Sequence, residues 1–335
     1  MQQSTVMTNI RRVASLQLTL VGMLLLGAGV FVYYRNPNGS SLWIEAPLGL
    51  LVLNLLAALM VNAKFRRQPP LLGFHICLLL IVFLAGVGRL TYFDGRLEIA
   101  EGQALDPAQV EVTQQGAFHR WQLAQGSFEQ GEIRVNYAPG VRREATRSVV
   151  RIRDSTGRWR TETIGDDAPL IVDGYRFYTT SNKGWAILLN WHGADGEALR
   201  GVVHLPSYPF RSLKQVRDWN LPSGERVELR LELPEVPREK AWALQRDGQR
   251  ATLVVKLGER VQPLEPGDSL RLGQGTLQFE GLRIWMGYRV SFNPILPWIA
   301  AAAVAAVLFM AWHFRLAFDS NAAENLSATA AVLET

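Results

Sequence analysis

The sequence predicts a membrane α-helical protein, with four transmembrane helices and an extracytoplasmic all-β domain built as a sandwich or an open barrel. Three observations predict this. Apolar residues make up 48% of the chain but concentrate in segments at about 13–34, 43–63, 71–91 and 295–314. Each is near the length of about 20 residues that a helix needs to cross a bilayer. The stretch 92–294 instead alternates β-branched and polar residues between Gly, Pro, Asn and Asp.

The first segment follows Arg11 and Arg12 and runs from Val13 to Tyr34. It exceeds the apolar core of a signal peptide, and no A-x-A site closes it, so it reads as a retained helix. RNPNGSS then makes a turn into the second segment. The next loop, AKFRRQPP, holds Lys64, Arg66 and Arg67 and ends in a proline pair. Basic loops stay in the cytoplasm. That rule puts both termini inside and residues 92–294 outside. The fourth helix then re-enters and leaves 315–335 as a cytoplasmic tail, expected to be mobile after Phe318. Trp43, Trp298, Tyr92 and Phe93 fall at outer helix ends, where aromatic side chains favour the headgroup level. Ala300–Ala306 offers a small-residue face for helix packing, and Asn54 offers an interhelical hydrogen bond inside the second helix.

In the outer segment, strand patterns include EIRVNYA, SVVRIRD, PLIVDGYRFYTTS, WAILLNW, RVELRLEL, ATLVVKL and TLQFEGLRIWMGYRVSF. No long amphipathic helix interrupts them, so the domain reads as antiparallel.

The one cysteine, Cys77, excludes an intrachain disulfide and a CxxC pair. The net charge of +5 fits basic anchoring at the cytoplasmic surface, and no basic helix or zinc pattern points to nucleic acid. HExxH, P-loop, GxSxG and CxxCH patterns are absent, which argues against an autonomous enzyme.

His75 is the foremost candidate. It lies in LLGFHICLLL, about one turn into the third helix. An ionisable group within a membrane span is a functional candidate by default. Its imidazole either hydrogen-bonds a neighbouring helix or offers one nitrogen to haem iron while the other is held. Cys77 projects about 200° away from His75 and reads as a packing residue. His313, near the cytoplasmic end of the fourth helix, is a weaker ligand candidate. Arg89, near the outer end of the third, either snorkels to headgroups or pairs with an acidic group of a ligand. His119, His192 and His204 show no metal spacing.

Four stretches resemble one family. They are LLVLNLLAALMVNAKFRR, then Gly73-Phe74-His75 running on to LAGVGRLTYFDGRLEIAEGQ, then PLIVDGYRFYTTS with Gly174, Phe177 and Tyr178, and finally LRIWMGYRVSFNP. Their order and the helix plan resemble the ResB (CcsB) proteins of system II cytochrome c biogenesis. Asn293-Pro294 departs from that family's Asp-Pro, Thr179-Thr180 departs from its Gln-Ser, and the outer domain is short for the family. The resemblance implies a bacterial inner-membrane protein with a periplasmic domain. It implies a non-catalytic subunit of a haem lyase complex that exports haem and attaches it to apocytochrome c. A CcsA-like membrane subunit would be the partner, with thiol-reducing proteins as further partners and membrane lipid around both. Haem b would be carried non-covalently, with His75 as this chain's iron ligand. Two other classes stay open: a scaffold subunit of a respiratory complex that binds no haem, and a transporter subunit, for which only Asn54 supplies midplane polarity.

Overall fold

The computed structural model describes residues 10–36, 40, 42–138, 142–153, 156–208, 214–233, 243–244 and 250–333, with side chains for all of these except 66, 142, 143 and 320–333. The chain divides into a helical unit, formed by the residues up to Arg89 and those from Pro294 on, and a β unit from Leu90 to Asn293.

Four helices of the helical unit are long and apolar enough to cross a membrane, which makes this a multi-pass membrane protein. They are α1 (Leu16–Arg35), α2 (Leu42–Val61), α3 (Pro69–Thr91) and α4 (Leu296–Leu333). Among the described side chains the candidate span of α4 covers Leu296–Asp319, and the helix continues to Leu333. The residues after Phe318 are helical as far as Leu333, and Ala, Glu and Leu in NAAENLSATAAVL are strong helix formers.

α1 and α2 pack through glycine. The buried residues of α1 are Gly22 and Gly29. A Cβ on Gly22 would stand 2.7 Å from Leu51, and one on Gly29 would overlap the carbonyl oxygen of Trp43. That carbonyl is available because Pro47, four residues on, has no N–H to offer it. Asn54 is buried in α2 and does what its position suggests. Its Nδ2 donates to the carbonyls of Val13 (2.6 Å) and Ser15 (3.0 Å), and its Oδ1 accepts from Thr19 Oγ1 (2.7 Å). These bonds satisfy backbone at the break before α1, where Ser15 is the N-cap. In α4, Ala302 and Ala306 are the buried alanines.

Among the described residues the β unit forms three antiparallel sheets and no closed barrel. Its strands are β1 (Phe93–Ala100), β2 (Glu111–Gln115), β3 (Phe128–Ala138), β4 (Arg142–Arg153), β5 (Trp159–Gly165), β6 (Leu170–Val172), β7 (Tyr175–Gly193), β8 (Ala198–His204), β9 (Val216–Asn220), β10 (Arg226–Glu232), β11 (Thr252–Leu257), β12 (Arg260–Leu264), β13 (Ser269–Leu272) and β14 (Gly275–Phe292). The main sheet runs β2-β1-β14-β7-β6, with β13 also on β14 and β8 also on β7. The smaller sheets are β12-β11-β10-β9 and β3-β4-β5. One apolar core joins all three.

The spine is the β7–β14 pair, 19 and 18 residues long, with register shifts at Phe279/Gly281 and Met286/Tyr288. The second shift seats Gly287, where a Cβ would stand 2.8 Å from the carbonyl of Asn182. Next to it, Tyr288 closes a buried polar triangle. Its hydroxyl donates to Gln130 Oε1 (2.7 Å), Gln130 Nε2 donates to Ser148 Oγ (2.5 Å), and Ser148 Oγ lies 3.2 Å from the Tyr288 hydroxyl. Burial pushes the Tyr288 phenol well above its ordinary range. Asp173 and Gly174, both at positive φ, turn the chain between β6 and β7 as a two-residue hairpin requires.

Candidate functional site

The helical unit builds one site around His75. After α2, Asn62 caps a single turn of helix, Ala63–Arg67, by accepting from the Lys64 N–H (3.0 Å). Pro69 and Pro70 then open α3, where a missing N–H costs nothing. This tight return lays the buried ring of Phe65 edge-on to His75, with centroids 4.7 Å apart. Phe74 flanks the imidazole at 5.2 Å.

His75 Nδ1 lies 2.7 Å from the carbonyl oxygen of Leu71. A carbonyl only accepts, so Nδ1 carries the proton and the neutral ring keeps its lone pair on Nε2. Among the described residues Nε2 has no hydrogen-bond partner. The ring is partly buried between two phenyl groups. Held at Nδ1, the ring could act as a ligand through Nε2.

Gly73 brings α4 against this part of α3. A Cβ there would clash with the ring of Phe309, which fills the space instead. His313, four residues beyond Phe309, contacts Phe314 at 5.9 Å, and no contact among the described residues joins it to His75. α3 runs into the β unit and α4 runs out of it. The two histidines therefore fall on opposite sides of the Gly73–Phe309 contact, roughly 9 Å apart along the axis. Cys77 is buried as a packing residue. No group of three or more His, Cys, Asp or Glu able to hold a metal occurs among the described residues.

Arg89 pairs with Glu45 of α2 (Nε to Oε1, 3.2 Å), with both side chains about half exposed. Its acidic partner is thus inside the chain. Lys64 and Arg67 are exposed on the turn beside His75, whereas the side chain of Arg66 lies outside the described residues.

The β unit accounts for the other histidines. His119 is buried, with Nδ1–H donating to the Thr91 carbonyl (3.0 Å) and Nε2 accepting from the Tyr175 hydroxyl (2.8 Å). Phe93 stacks on it at 5.1 Å and is fully buried, so it does not face headgroups as its position beside Tyr92 suggested. Tertiary packing with Trp121 and Tyr175 decides its place. His204 stacks on Trp285 (5.5 Å) and lies 3.7 Å from Glu98, whose carboxyl it holds below the ordinary value. His192 is exposed. An open groove of about 850 Å³ runs along the exposed face of β1, β2, β7 and β14. Asp94, Arg96, Glu98, Glu111 and Arg289 give it charges of both signs.

Phe65 and Leu71 contact His75 yet carry no sequence signal of their own. The Gly-x-His spacing was the one usable trace, since Gly73 marks the close approach of α4.

Against known proteins, the model of the ResB-like family matches residues 65–260, more than half of the chain. The matched region begins at Phe65 and so includes His75. Protein NrfI of Wolinella succinogenes is 35% identical over 97 residues, which is 26% of this chain and 11% of that protein. The chain therefore matches only a small part of NrfI's length.

Proposed function

We infer the function of this chain from one premise: it belongs to the ResB-like family. On that premise it works in cytochrome c biogenesis as a membrane subunit that holds haem and helps present it to apocytochrome c. The observation that carries the reading is the His75 ring, tied through Nδ1 to Leu71 with Nε2 uncommitted. The haem macrocycle is apolar, and Phe65 and Phe74 offer it aromatic surface in a low-dielectric setting. Its propionates would lie toward the exposed Lys64 and Arg67.

His75 would supply one ligand to haem iron. The second ligand then comes from a partner, and a CcsA-like membrane subunit is the expected source. Thioether formation joins haem vinyl groups to apocytochrome thiols, so this chain supplies position rather than a catalytic group. The mixed-charge groove on the β unit suits a polar extended segment of apocytochrome better than it suits a macrocycle. In this reading the protein sits in the bacterial inner membrane, with both termini cytoplasmic and the β unit periplasmic.

The rival is a scaffold subunit that binds no haem. The visible spectrum of the protein purified in mild detergent separates the two. Haem handling predicts a Soret band and co-purification of a CcsA-like subunit. A colourless protein that supports cytochrome c maturation unchanged would favour the scaffold.

A further inference from the structure

We propose that the segment Gly116–Trp121 is a lipid-binding anchor of the β unit, with Phe118 inserted at the membrane interface at the C-terminal end of α3. This goes beyond haem handling and does not depend on it.

The interface level is set by α3 itself. Its 23 residues span roughly 34 Å, against a hydrocarbon core of about 30 Å, so its ends lie close to the core boundary. Arg89 and Glu45 mark that level, because a half-exposed ion pair belongs among headgroups rather than acyl chains. Residues 116–119 are bonded to the backbone just beyond it. Phe118 N–H donates to the Leu90 carbonyl (2.7 Å), the His119 ring donates to the Thr91 carbonyl, and Gly116 N–H donates to the Tyr92 carbonyl (2.9 Å). These bonds satisfy the carbonyls of Leu90 and Thr91, the last two residues of α3, and of Tyr92 just after it.

The side chains match the level. Phe118 is 69% exposed, although it is a large apolar ring, and Trp121 is 41% exposed. A single exposed phenylalanine is ordinary on a soluble surface. Here it is held within one hydrogen bond of a membrane span, where amphipathic and aromatic side chains are favoured. Arg120 is also exposed, and GAFHRWQLA carries no acidic residue, which suits anionic headgroups. The backbone of the segment cannot retract, because His119 is buried beneath it between Phe93 and Tyr175.

The test uses the full chain with Cys77→Ala, reconstituted in vesicles of phosphatidylcholine and phosphatidylglycerol. Single cysteines from Phe118→Cys, Arg120→Cys or Glu259→Cys carry an environment-sensitive fluorophore. Glu259 lies in the exposed turn between β11 and β12 and serves as the aqueous reference. The label at 118 should emit at shorter wavelength than the label at 259. It should lose intensity to nitroxide lipids and resist aqueous iodide. The label at 120 should respond to headgroup nitroxides more than to acyl-chain ones. Equal iodide quenching at 118, 120 and 259, with no lipid quenching at 118 or 120, would overturn the proposal. So would protection of 118 from iodide without lipid quenching, since a second copy of the chain would then cover it.

Discussion

The imidazole Nδ1 of His75 donates to the carbonyl oxygen of Leu71, one turn back in the same helix, at 2.7 Å. The bond consumes the ring's proton and turns the unshared pair on Nε2 away from its own helix. The ring's one donor is thus spent within α3, and Nε2 is left as an acceptor.

Phe65 is expected to tune this site without creating it. Its edge contact with His75 is of a kind that contributes about 0.5–1.5 kcal/mol. Phe65→Ala should therefore weaken haem retention by roughly three- to ten-fold while leaving the Soret band in place. Titration of the purified variant with haem checks this; a complete loss would make Phe65, not His75, the principal determinant.

The α1–α2 contact predicts an asymmetry between two glycines. Gly29→Leu drives a side chain into the Trp43 carbonyl, whereas a Cβ on Gly27 meets nothing within 4 Å. Overpacking of this kind costs about 1–3 kcal/mol. Thermal unfolding in detergent should show a clear loss for Gly29→Leu and little change for Gly27→Leu.

Tyr288→Phe removes one member of the buried triangle and leaves Gln130 Oε1 without its donor. An unsatisfied buried acceptor costs about 1–3 kcal/mol. The melting temperature of the full chain should fall, and Gln130→Leu in the same background should recover part of the loss. If the double variant is no better than the single, the triangle is not the cause.

Glu98 gives a pH dependence whose sign is fixed. The His204 ring 3.7 Å away holds its carboxyl below the ordinary value of 4.5, with burial opposing and the Asn182 hydrogen bond and the Arg217 charge assisting. A depressed carboxyl contributes stability that is present above the ordinary value and lost as pH falls through the folded one. The loss should therefore appear below pH 4.5, and Glu98→Gln should flatten it. Melting curves across acid pH check the slope; the same slope in Glu98→Gln would assign it to other groups.

The helical plan was legible because hydropathy is local: each span can be counted along the chain, and α1, α2 and α3 begin and end within about three residues of the apolar segments. The β class was legible from alternation. What alternation does not carry is partnership. PLIVDGYRFYTTS and WAILLNW read as two strands, yet β7 runs unbroken through Asn182, Lys183 and Gly184 because β14 pairs with it on both sides of a register shift. Phe93 likewise reads as interfacial until His119 and Tyr175 arrive from far along the chain to bury it. At the site, His75 stood out because an imidazole is costly in an apolar helix. Phe65 did not stand out, because phenylalanine is commonplace in such segments and only the fold shows that its ring meets the imidazole. Arg89 looked open to a ligand's acidic group because nothing in the sequence links it to Glu45, 44 residues earlier.

The most direct measurement is the haem content of His75→Ala, purified from a cell that makes c-type cytochromes, with and without added imidazole. Removing one polar ring makes α3 more apolar, so the variant should still insert. The expected result is loss of the Soret band and of cytochrome c maturation, partial return of both when imidazole occupies the vacated position, and a milder effect of His313→Ala. Haem content and maturation that survive His75→Ala but disappear in His313→Ala would contradict it and move the ligand to α4.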